Sequence, residues 1–444
     1  MMADHWKRSR ITKAFTDAAR ANSFTEAEAR LDAIHIAVVV GVDQIATAAG
    51  QAAALTAIAT ALKCFGRVTL VTSDDAPLIA KLPVGTTLHR AARRLGARIS
   101  ETLGRKTTHT IVIGTAAKSG PLSIHCWWDR WLSGTRARGE LPGDSRLAIS
   151  GTFSAGLAVR QIFACVLAGK MLRARDASVS LWVPWVQADR DDIGPEQFDV
   201  PDNFWFLGLG HLGQGFIWNL CLLGTKGGRA VLQDDQDIAI ENEATSLLVV
   251  TKDLGEKKTR IAARWLKAAG WTPNLIERRH QGDIRLSPED PPILLCGLDR
   301  VQPRLVMAKH GFDYMIDAGL GHGPHDFEGI QLRVIAKGEP IDDLWADAGS
   351  SQTPERAPNA AYVNLEHEIG QCGVVSFAEA STSVPFVGAA AGALVIAQAI
   401  RLASLQTTTR FLQMELGSPE MVSMAGFAKS PQVNLGSASV WLGR

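Results

Sequence analysis

Five groups of residues between positions 208 and 299 have the types and order that nucleotide chemistry requires. Residues 208–213 read Gly-Leu-Gly-His-Leu-Gly after an apolar run. In such a loop Gly208 permits the tight turn off a strand, Gly210 lets backbone approach a phosphate, and Gly213 lets the following helix sit close to the sheet. The helix N-terminus would then hold an anion. The loop alone suits NAD and ATP equally, and Asp234 beyond the next strand could bind a ribose in either case. Further on come Asn242, Lys258 at a helix start, and Asp299 after another apolar strand. A site that adenylates a carboxylate must neutralise a triphosphate and hold magnesium, so it needs a Lys or Arg and a late Asp facing the loop. A hydride-transfer site needs neither, which ranks an NAD-dependent oxidoreductase below an ATP-using enzyme. Each residue also has a plain structural reading: Asp234 as a turn residue, Asn242 as a helix cap, Lys258 on a solvated helix face.

These positions must be carried by a strand–helix alternation, and the chain writes that alternation twice. Residues 36–40, an Ala-rich stretch over 46–62, and residues 67–71 read as a βαβ unit. A helix over 88–95, a strand over 110–113 and a small-residue helix within 147–171 follow. The second half repeats the order from 204–207 onward. Gly66-Arg67-Val68-Thr69-Leu70 answers Gly228-Arg229-Ala230-Val231-Leu232, and Ala91-Ala92-Arg93-Arg94-Leu95 answers Ala262-Ala263-Arg264-Trp265-Leu266. Residues 110–113 answer 293–296, and the helix after Gly151 answers the helix after Val387. Units of this length are duplicated domains. The expectation is an α/β protein of two tandem Rossmann-like, doubly wound domains forming a pseudo-dimer: residues 1–186, a Pro- and Asp-rich linker over 187–202, and residues 203–444. In the first half Gly41-Val42-Asp43 stands where a phosphate loop would be and lacks the further glycines, so that half is expected to be a scaffold without nucleotide.

The second half resembles the ubiquitin-activating-enzyme-like superfamily that includes ThiF and MoeB. The resemblance rests on the loop at 208–213, Leu232-Gln233-Asp234, Glu241-Asn242, Gly255-Glu256-Lys257-Lys258, Cys296-Gly297-Leu298-Asp299 with Arg304 five residues on, and the late small-residue helix after Val384. It covers about residues 200–404, with the first half a fainter copy. It implies ATP-dependent adenylation of the C-terminal glycine of a ubiquitin-like protein, with a conjugating-enzyme-like carrier as a further partner. By the same resemblance Asp234 holds the ribose, Asn242 and Lys258 the phosphates, and Asp299 the Mg2+. Arg304 belongs to the catalytic set, and Arg8 or Arg10 stands where the family's N-terminal arginine would. Cys372, in Gly370-Gln371-Cys372-Gly373, matches the thioester cysteine of some members, with His367 the nearest base. Two departures reduce the charge around the phosphates: Gln236 replaces a second Asp, and Thr245 replaces an Arg. They motivate the alternative of a non-catalytic adaptor on the same fold.

The remaining composition narrows the partners. Lys plus Arg number 46 against 45 for Asp plus Glu, so nothing in the net charge draws the chain to nucleic acid or membrane. The six cysteines form no CxxC pair, which argues against a zinc site or a disulfide scaffold and for a cytoplasmic, reducing setting. No export signal is read at the N-terminus. Residues 380–400 carry no charge and are long enough to cross a bilayer. Pro385, Gly388, Gly392 and Gln398 assign them instead to a buried helix. His322 and His325, in a predicted flexible loop from Asp317 onward, read as surface residues. Trp127, Trp128, Trp131, Trp182 and Trp185 read as core and domain-interface packing.

Overall fold

The alternation of short apolar runs with small-residue helices gives two open sheets with one strand order. The computed structural model describes residues 7–115, 120–188, 193–321, 326–341, 344–345, 360–365 and 382–442. In the first half the strands are β1 (Ile36–Val40), β2 (Val68–Val71), β5 (Arg98–Ser100), β6 (His109–Ile113), β7 (Ser123–Asp129), β8 (Leu132–Arg136) and β9 (Ala177–Ser180). They lie in the order β5-β2-β1-β6-β7-β8-β9, the first five parallel and the last two antiparallel. A short hairpin, β3 (Pro77–Leu82) with β4 (Gly85–Thr87), stands apart. In the second half β11 (Asn203–Leu207), β12 (Arg229–Gln233), β13 (Thr272–Ile276), β14 (Ile293–Cys296), β15 (Tyr314–Leu320), β16 (Gly329–Ala336), β17 (Thr409–Glu415) and β18 (Val422–Phe427) take the order β13-β12-β11-β14-β15-β16-β17-β18. Again five parallel strands are followed by antiparallel ones.

Four long helices form the layer between the sheets. They are α3 (Ala48–Phe65) and α5 (Ala148–Ala168) from the first half, α6 (His211–Leu223) and α10 (Pro385–Ala403) from the second. Each packs on its own sheet and on the others, and one apolar core runs through both halves. Glycine allows the closest approach: a Cβ on Gly215 of α6 would sit 2.0 Å from the Gly388 carbonyl oxygen of α10. Three described helices are long and apolar enough to cross a membrane, and the last of them, Pro385–Ala403, is wholly buried between its neighbours. Trp218 on α6 donates its indole N–H to the Thr56 hydroxyl on α3 at 2.9 Å, a polar link across the halves. Trp127, Trp128, Trp131 and Trp182 are buried.

Three expectations shift. The tail of the predicted linker is a strand, β10 (Gln197–Pro201), paired antiparallel with β19 (Ser437–Trp441), because Phe198 and Val200 alternate into the core. The sequence match of Gly66 to Gly228 is one residue out of register. Val68 and Arg229 are the residues that occupy the same place beside the central strand. The structural counterpart of Gly66, which caps α3 in the left-handed region at φ 76°, is Gly224, which caps α6 at φ 69°. The flexible loop expected from Asp317 is instead the continuation of β15 through Leu320, held by antiparallel pairing to β16.

The outer faces differ. That of the second sheet is covered by a second apolar cluster including α9 (Val301–Ala308), Trp205, Met307 and Phe312. On the first, Ala37, Val39 and Val71 form a small apolar cluster with Leu103 against it, and Val112 and Trp127 are buried on the same face.

Candidate functional site

Strand order in the second half reverses between β11 and β14, and the mouth of an open α/β sheet at that point is where ligands bind. A cavity of about 970 Å³ opens there, lined by all three sequence-predicted layers: the glycine turn, the Asp234-to-Lys258 segment and the Asp299 loop. That volume stands at the upper end of the ~300–1,000 Å³ usual for small-molecule pockets. It has room for a nucleotide and the end of a second molecule.

The turn is built as the glycines predict. Gly208 takes φ +78°, and its N–H donates to the Gln233 carbonyl at 3.1 Å on the neighbouring strand. A Cβ on Gly213 would lie 2.0 Å from the Gly208 carbonyl oxygen, so only glycine lets α6 fold back onto the turn. A Cβ on Gly210 would meet nothing within 4 Å, so the cradle is open. Gly210 is also the N-cap of α6, with no side chain bonding the first-turn amides. Those N–H groups and the helix dipole are available to an anion.

Around the turn the predicted polar residues converge, with roles that sequence reasoning only partly separates. Asp234 accepts the Leu209 N–H at 2.7 Å on one oxygen and the Gln236 N–H at 2.8 Å on the other. It therefore fixes the loop, and a carboxylate oxygen can still accept a further bond. Asn242 sits one turn into α7 (Ile240–Thr245) and its carbonyl oxygen accepts the Ala239 N–H at 2.9 Å. The capping reading holds for that oxygen, and the amide NH2 remains as a donor on a residue that lines the cavity. Lys258 opens α8 (Lys258–Ala268), is buried, and donates to the Gln236 side-chain oxygen at 2.6 Å; the solvated-face reading is corrected, because the β-bridge between Asp237 and Lys257 draws the helix start inward. The first departure from the family pattern thus has a consequence. A neutral amide orients the Lys258 ammonium without cancelling its charge. At the second departure, Thr245 donates to the Glu241 carbonyl at 3.1 Å and lines the cavity without adding charge.

The N-terminal arginine of the pocket is Arg10, not Arg8. Arg10 comes from α1 (Ser9–Asp17) and lines the cavity; burial lowers its pKa, opposed by the charges of Glu241 and Asp299. Arg8 instead bonds Asp32 at 2.8 Å and the Cys64 carbonyl at 3.4 Å. Lys63 at the end of α3 ties the first half to the second outside the cavity, donating to the Glu243 and Val249 carbonyls; burial pushes its pKa down to about 8.

Asp299 and Arg300 are exposed in the loop after β14 and line the cavity. Arg304 departs from the catalytic role expected of it. Its guanidinium donates to the Leu298 carbonyl and, at 3.2 Å, to Asp317. It therefore positions the backbone just before Asp299. Cys372, His367, His322 and His325 lie outside the described residues. His211 is oriented by α10: its Nε2 lies 2.9 Å from the Val384 carbonyl and 3.1 Å from the Gly388 N–H, and burial pushes its pKa down to about 4. It is neutral at pH 7.

Sequence reasoning missed the far wall of the cavity, lined by Gln331, Arg333 and Trp345, and the Asp317 carboxylate buried behind it between Arg304 and Arg333. The signal was present: β16 is apolar except for Gln331 and Arg333 and is buried along its whole length, and an arginine inside such a strand needs a partner.

Residues 200–405 match the family model described as the BilD C-terminal domain, and residues 35–182 match that of the BilD N-terminal domain. The bacterial E1-like protein BilD of Collimonas sp. (strain OK412) is 29% identical over 412 residues, covering 90% of this chain and 89% of that protein. Among solved structures, E. coli MccB with ATP is 16% identical with a TM-score of 0.38, covering 53% of this chain and 66% of that one. A further structure of E. coli MccB is 18% identical with a TM-score of 0.38, covering 52% of this chain and 63% of that one. The chain thus spans just under two thirds of the MccB chains it matches. In both halves, and in the same order, the chain is similar to the BilD family of bacterial E1-like proteins.

Proposed function

We propose that the chain uses ATP to adenylate the C-terminal carboxylate of a ubiquitin-like protein. The single observation that carries this reading is the convergence of an open, uncapped glycine turn, an uncancelled Lys258 ammonium and the Asp299 carboxylate on one cavity. In the reaction one carboxylate oxygen bonds to the α-phosphorus, the bond from that phosphorus to the bridging oxygen breaks, and pyrophosphate leaves with the electron pair. The residues contribute chiefly by positioning and charge neutralisation, which phosphoryl-type transfers reward. The α6 amides and Lys258 take the phosphate oxygens, Arg10 faces the same space from the first half, and Asp234 is placed for the ribose. Mg2+ would supply charge neutralisation on the triphosphate, and Asp299 is the residue that would hold it. Arg304 keeps the Asp299 loop in place.

The two halves are read as a pseudo-dimer in which the first half braces the site and has no nucleotide of its own. The proposal includes attack of the Cys372 thiolate on the acyl-adenylate, which forms a thioester and releases AMP, and then thiol exchange to a conjugating-enzyme-like carrier, which returns the Cys372 thiol. It also includes a cytoplasmic location, with which the free thiols of Cys64, Cys126, Cys221 and Cys296 agree.

Pyrophosphate–ATP exchange with the cognate ubiquitin-like protein tests the reading. Exchange is expected in the wild type and a loss of about a hundredfold or more in Asp299→Ala; absence of exchange, or exchange indifferent to that change, removes the claim. The adaptor reading is favoured by one set of observations: Asp234, Asn242 and Arg304 are each engaged with the chain's own backbone. Calorimetry that finds partner binding without ATP binding selects it.

A further inference from the structure

The near-neutral charge of the whole chain hides a local excess. Between residues 63 and 106 stand nine Lys and Arg against three Asp and Glu. Four adjacent parallel strands of the first sheet, in the order β5-β2-β1-β6, all start at the end opposite the Gly41 turn. Those starts carry Arg98 on β5, Arg67 just before β2, His35 just before β1 and Lys106 three residues before β6. Neighbouring strands lie about 4.8 Å apart, so the row spans roughly 14 Å. Arg93 and Arg94, in the last turn of α4 (Leu88–Leu95), reach the same end, because Gly96 caps that helix just before Arg98. The five Arg and Lys are exposed, and among the described residues none of their side chains has an ion pair or a hydrogen bond. His35 sits among them: its Nε2 lies 2.9 Å from the Thr69 hydroxyl, and burial, then the charges of Arg98, Arg67 and Lys106, lower its pKa. Asp32, beside Gly66, is already paired with Arg8 at 2.8 Å.

The second sheet shows that the fold does not require these charges. Strand pairing puts Pro273 in the place of Arg98, Gly228 in that of Arg67 and Asp202 in that of His35, and Glu289 stands where Lys106 does. The α4 dipole accounts for Arg93 and Arg94. Holding Arg67, Arg98 and Lys106 together costs self-repulsion that no described carboxylate offsets by an ion pair.

Charge complementarity points to a polyanion, and what the row lacks narrows its class. Protein interfaces are anchored by aromatic and apolar side chains, and bilayer surfaces are bound through apolar area as well as charge. None of the large exposed apolar side chains among the described residues lies at these strand starts. A nucleic-acid single strand is held by stacking on aromatic rings, and the same observation argues against it. Duplex RNA is recognised in part through its 2′-hydroxyls, for which guanidinium and ammonium groups offer no acceptor. Duplex DNA presents one charge per ~1.7 Å of axis, and Lys and Arg hold its backbone without reading bases. We propose that Arg98, Arg67, His35 and Lys106, with Arg93 and Arg94, bind the phosphate backbone of double-stranded DNA without regard to sequence. None of these residues lines the nucleotide cavity, so the inference goes beyond the adenylation reading and stands apart from it.

Fluorescence anisotropy of a labelled duplex of about 30 base pairs, titrated with the full chain between about 50 and 200 mM salt, tests this. Five or six phosphate contacts predict a slope of log K against log salt of about −5. Arg67→Gln combined with Arg98→Gln is expected to lower affinity about tenfold at the low-salt end and to reduce the slope by about two, with melting temperature and ATP affinity unchanged. Lys337→Gln, at an exposed cation of the second half, should leave affinity within about twofold. If the double variant is unstable, Lys106→Gln decides alone, with the slope reduced by about one. The proposal is overturned if wild type does not bind the duplex at low salt, if the variants keep the wild-type slope, or if Lys337→Gln costs as much as the double change. It is also overturned if single-stranded DNA, duplex RNA, polyglutamate or phosphatidylserine vesicles bind more tightly than duplex DNA, since the row then serves a different partner.

Discussion

The two βα turns of this chain occupy the same place in two sheets of the same order, yet they present opposite surfaces. Strand pairing sets Val40 of β1 opposite Ile113 and Leu207 of β11 opposite Cys296. Gly41 therefore corresponds to Gly208, Asp43 to Gly210 and Gln44 to His211. In the second half the space before Gly210 is open and no side chain caps α6. In the first half the Asp43 carboxylate fills the turn, accepting the Thr115 N–H at 2.8 Å, and Thr47 caps α3 by accepting the Gly50 N–H at 3.0 Å. Asp43 thus occupies the space an anion would fill, and Thr47 takes a first-turn amide of α3. A nucleotide cradle is closed by two residues while the topology around it stays intact, and the first half keeps contributing to the other site through Arg10.

The largest effect is expected from giving the second turn the residue of the first. Gly210 has φ −78°, which any residue adopts, and room for a Cβ, so Gly210→Asp should fold with an unchanged melting temperature. Its carboxylate would stand where the phosphates bind, and calorimetry should show ATP affinity lowered about a hundredfold or more. Preserved ATP binding would break the comparison. Lys258→Met comes next. The equivalent helix of the first half, α4 (Leu88–Leu95), starts with an apolar residue. Removing the ammonium should cost about tenfold to a hundredfold in ATP affinity, as for a charge-assisted hydrogen bond of about 1.5–3 kcal/mol. Equal loss of stability and binding would show that Lys258 acts through packing alone.

A smaller effect separates His211 from Gln44, which cannot titrate. Between pH 6.5 and about 4 the unfolded chain protonates His211 while the folded chain does not, so stability is lost as pH falls through that window. Thermal melts of His211→Gln should show a shallower decline there than wild type; identical slopes would remove His211 as a cause. Smallest is Asp43→Gly. It frees the Thr115 N–H and should lower stability by about 1 kcal/mol. No second ATP site should appear in a titration, because Thr47 still caps α3; a stoichiometry of two would overturn the explanation of the closed turn.

Much of this was legible along the chain because it rests on local periodicity. The strand Ile36–Val40, the helix Leu88–Leu95 and the glycine turn at 208–213 follow from apolar spacing and from what glycine alone permits. The duplication was legible too, since residues 110–113 and 293–296 become the equivalent strands β6 and β14. Misreadings arose where a residue's role depends on a distant partner. Arg304 spends its guanidinium on Leu298 and on Asp317 thirteen positions away. Asp317 reads as loop because the sequence Asp-Ala-Gly-Leu-Gly has the composition of a turn, and only pairing with β16 draws it into a buried strand.

The residue types and their order determined by themselves that this is a duplicated α/β chain with one glycine turn fit for a phosphate, because backbone sterics and side-chain periodicity act over a few residues. Only the tertiary structure decided that Arg10 and not Arg8 faces Asp299, that Gln236 orients Lys258 without neutralising it, and that Arg333, beside buried Asp317, lines the same cavity. Those outcomes depend on which side chains meet across elements and on how much water reaches them. Neither quantity is written in local sequence.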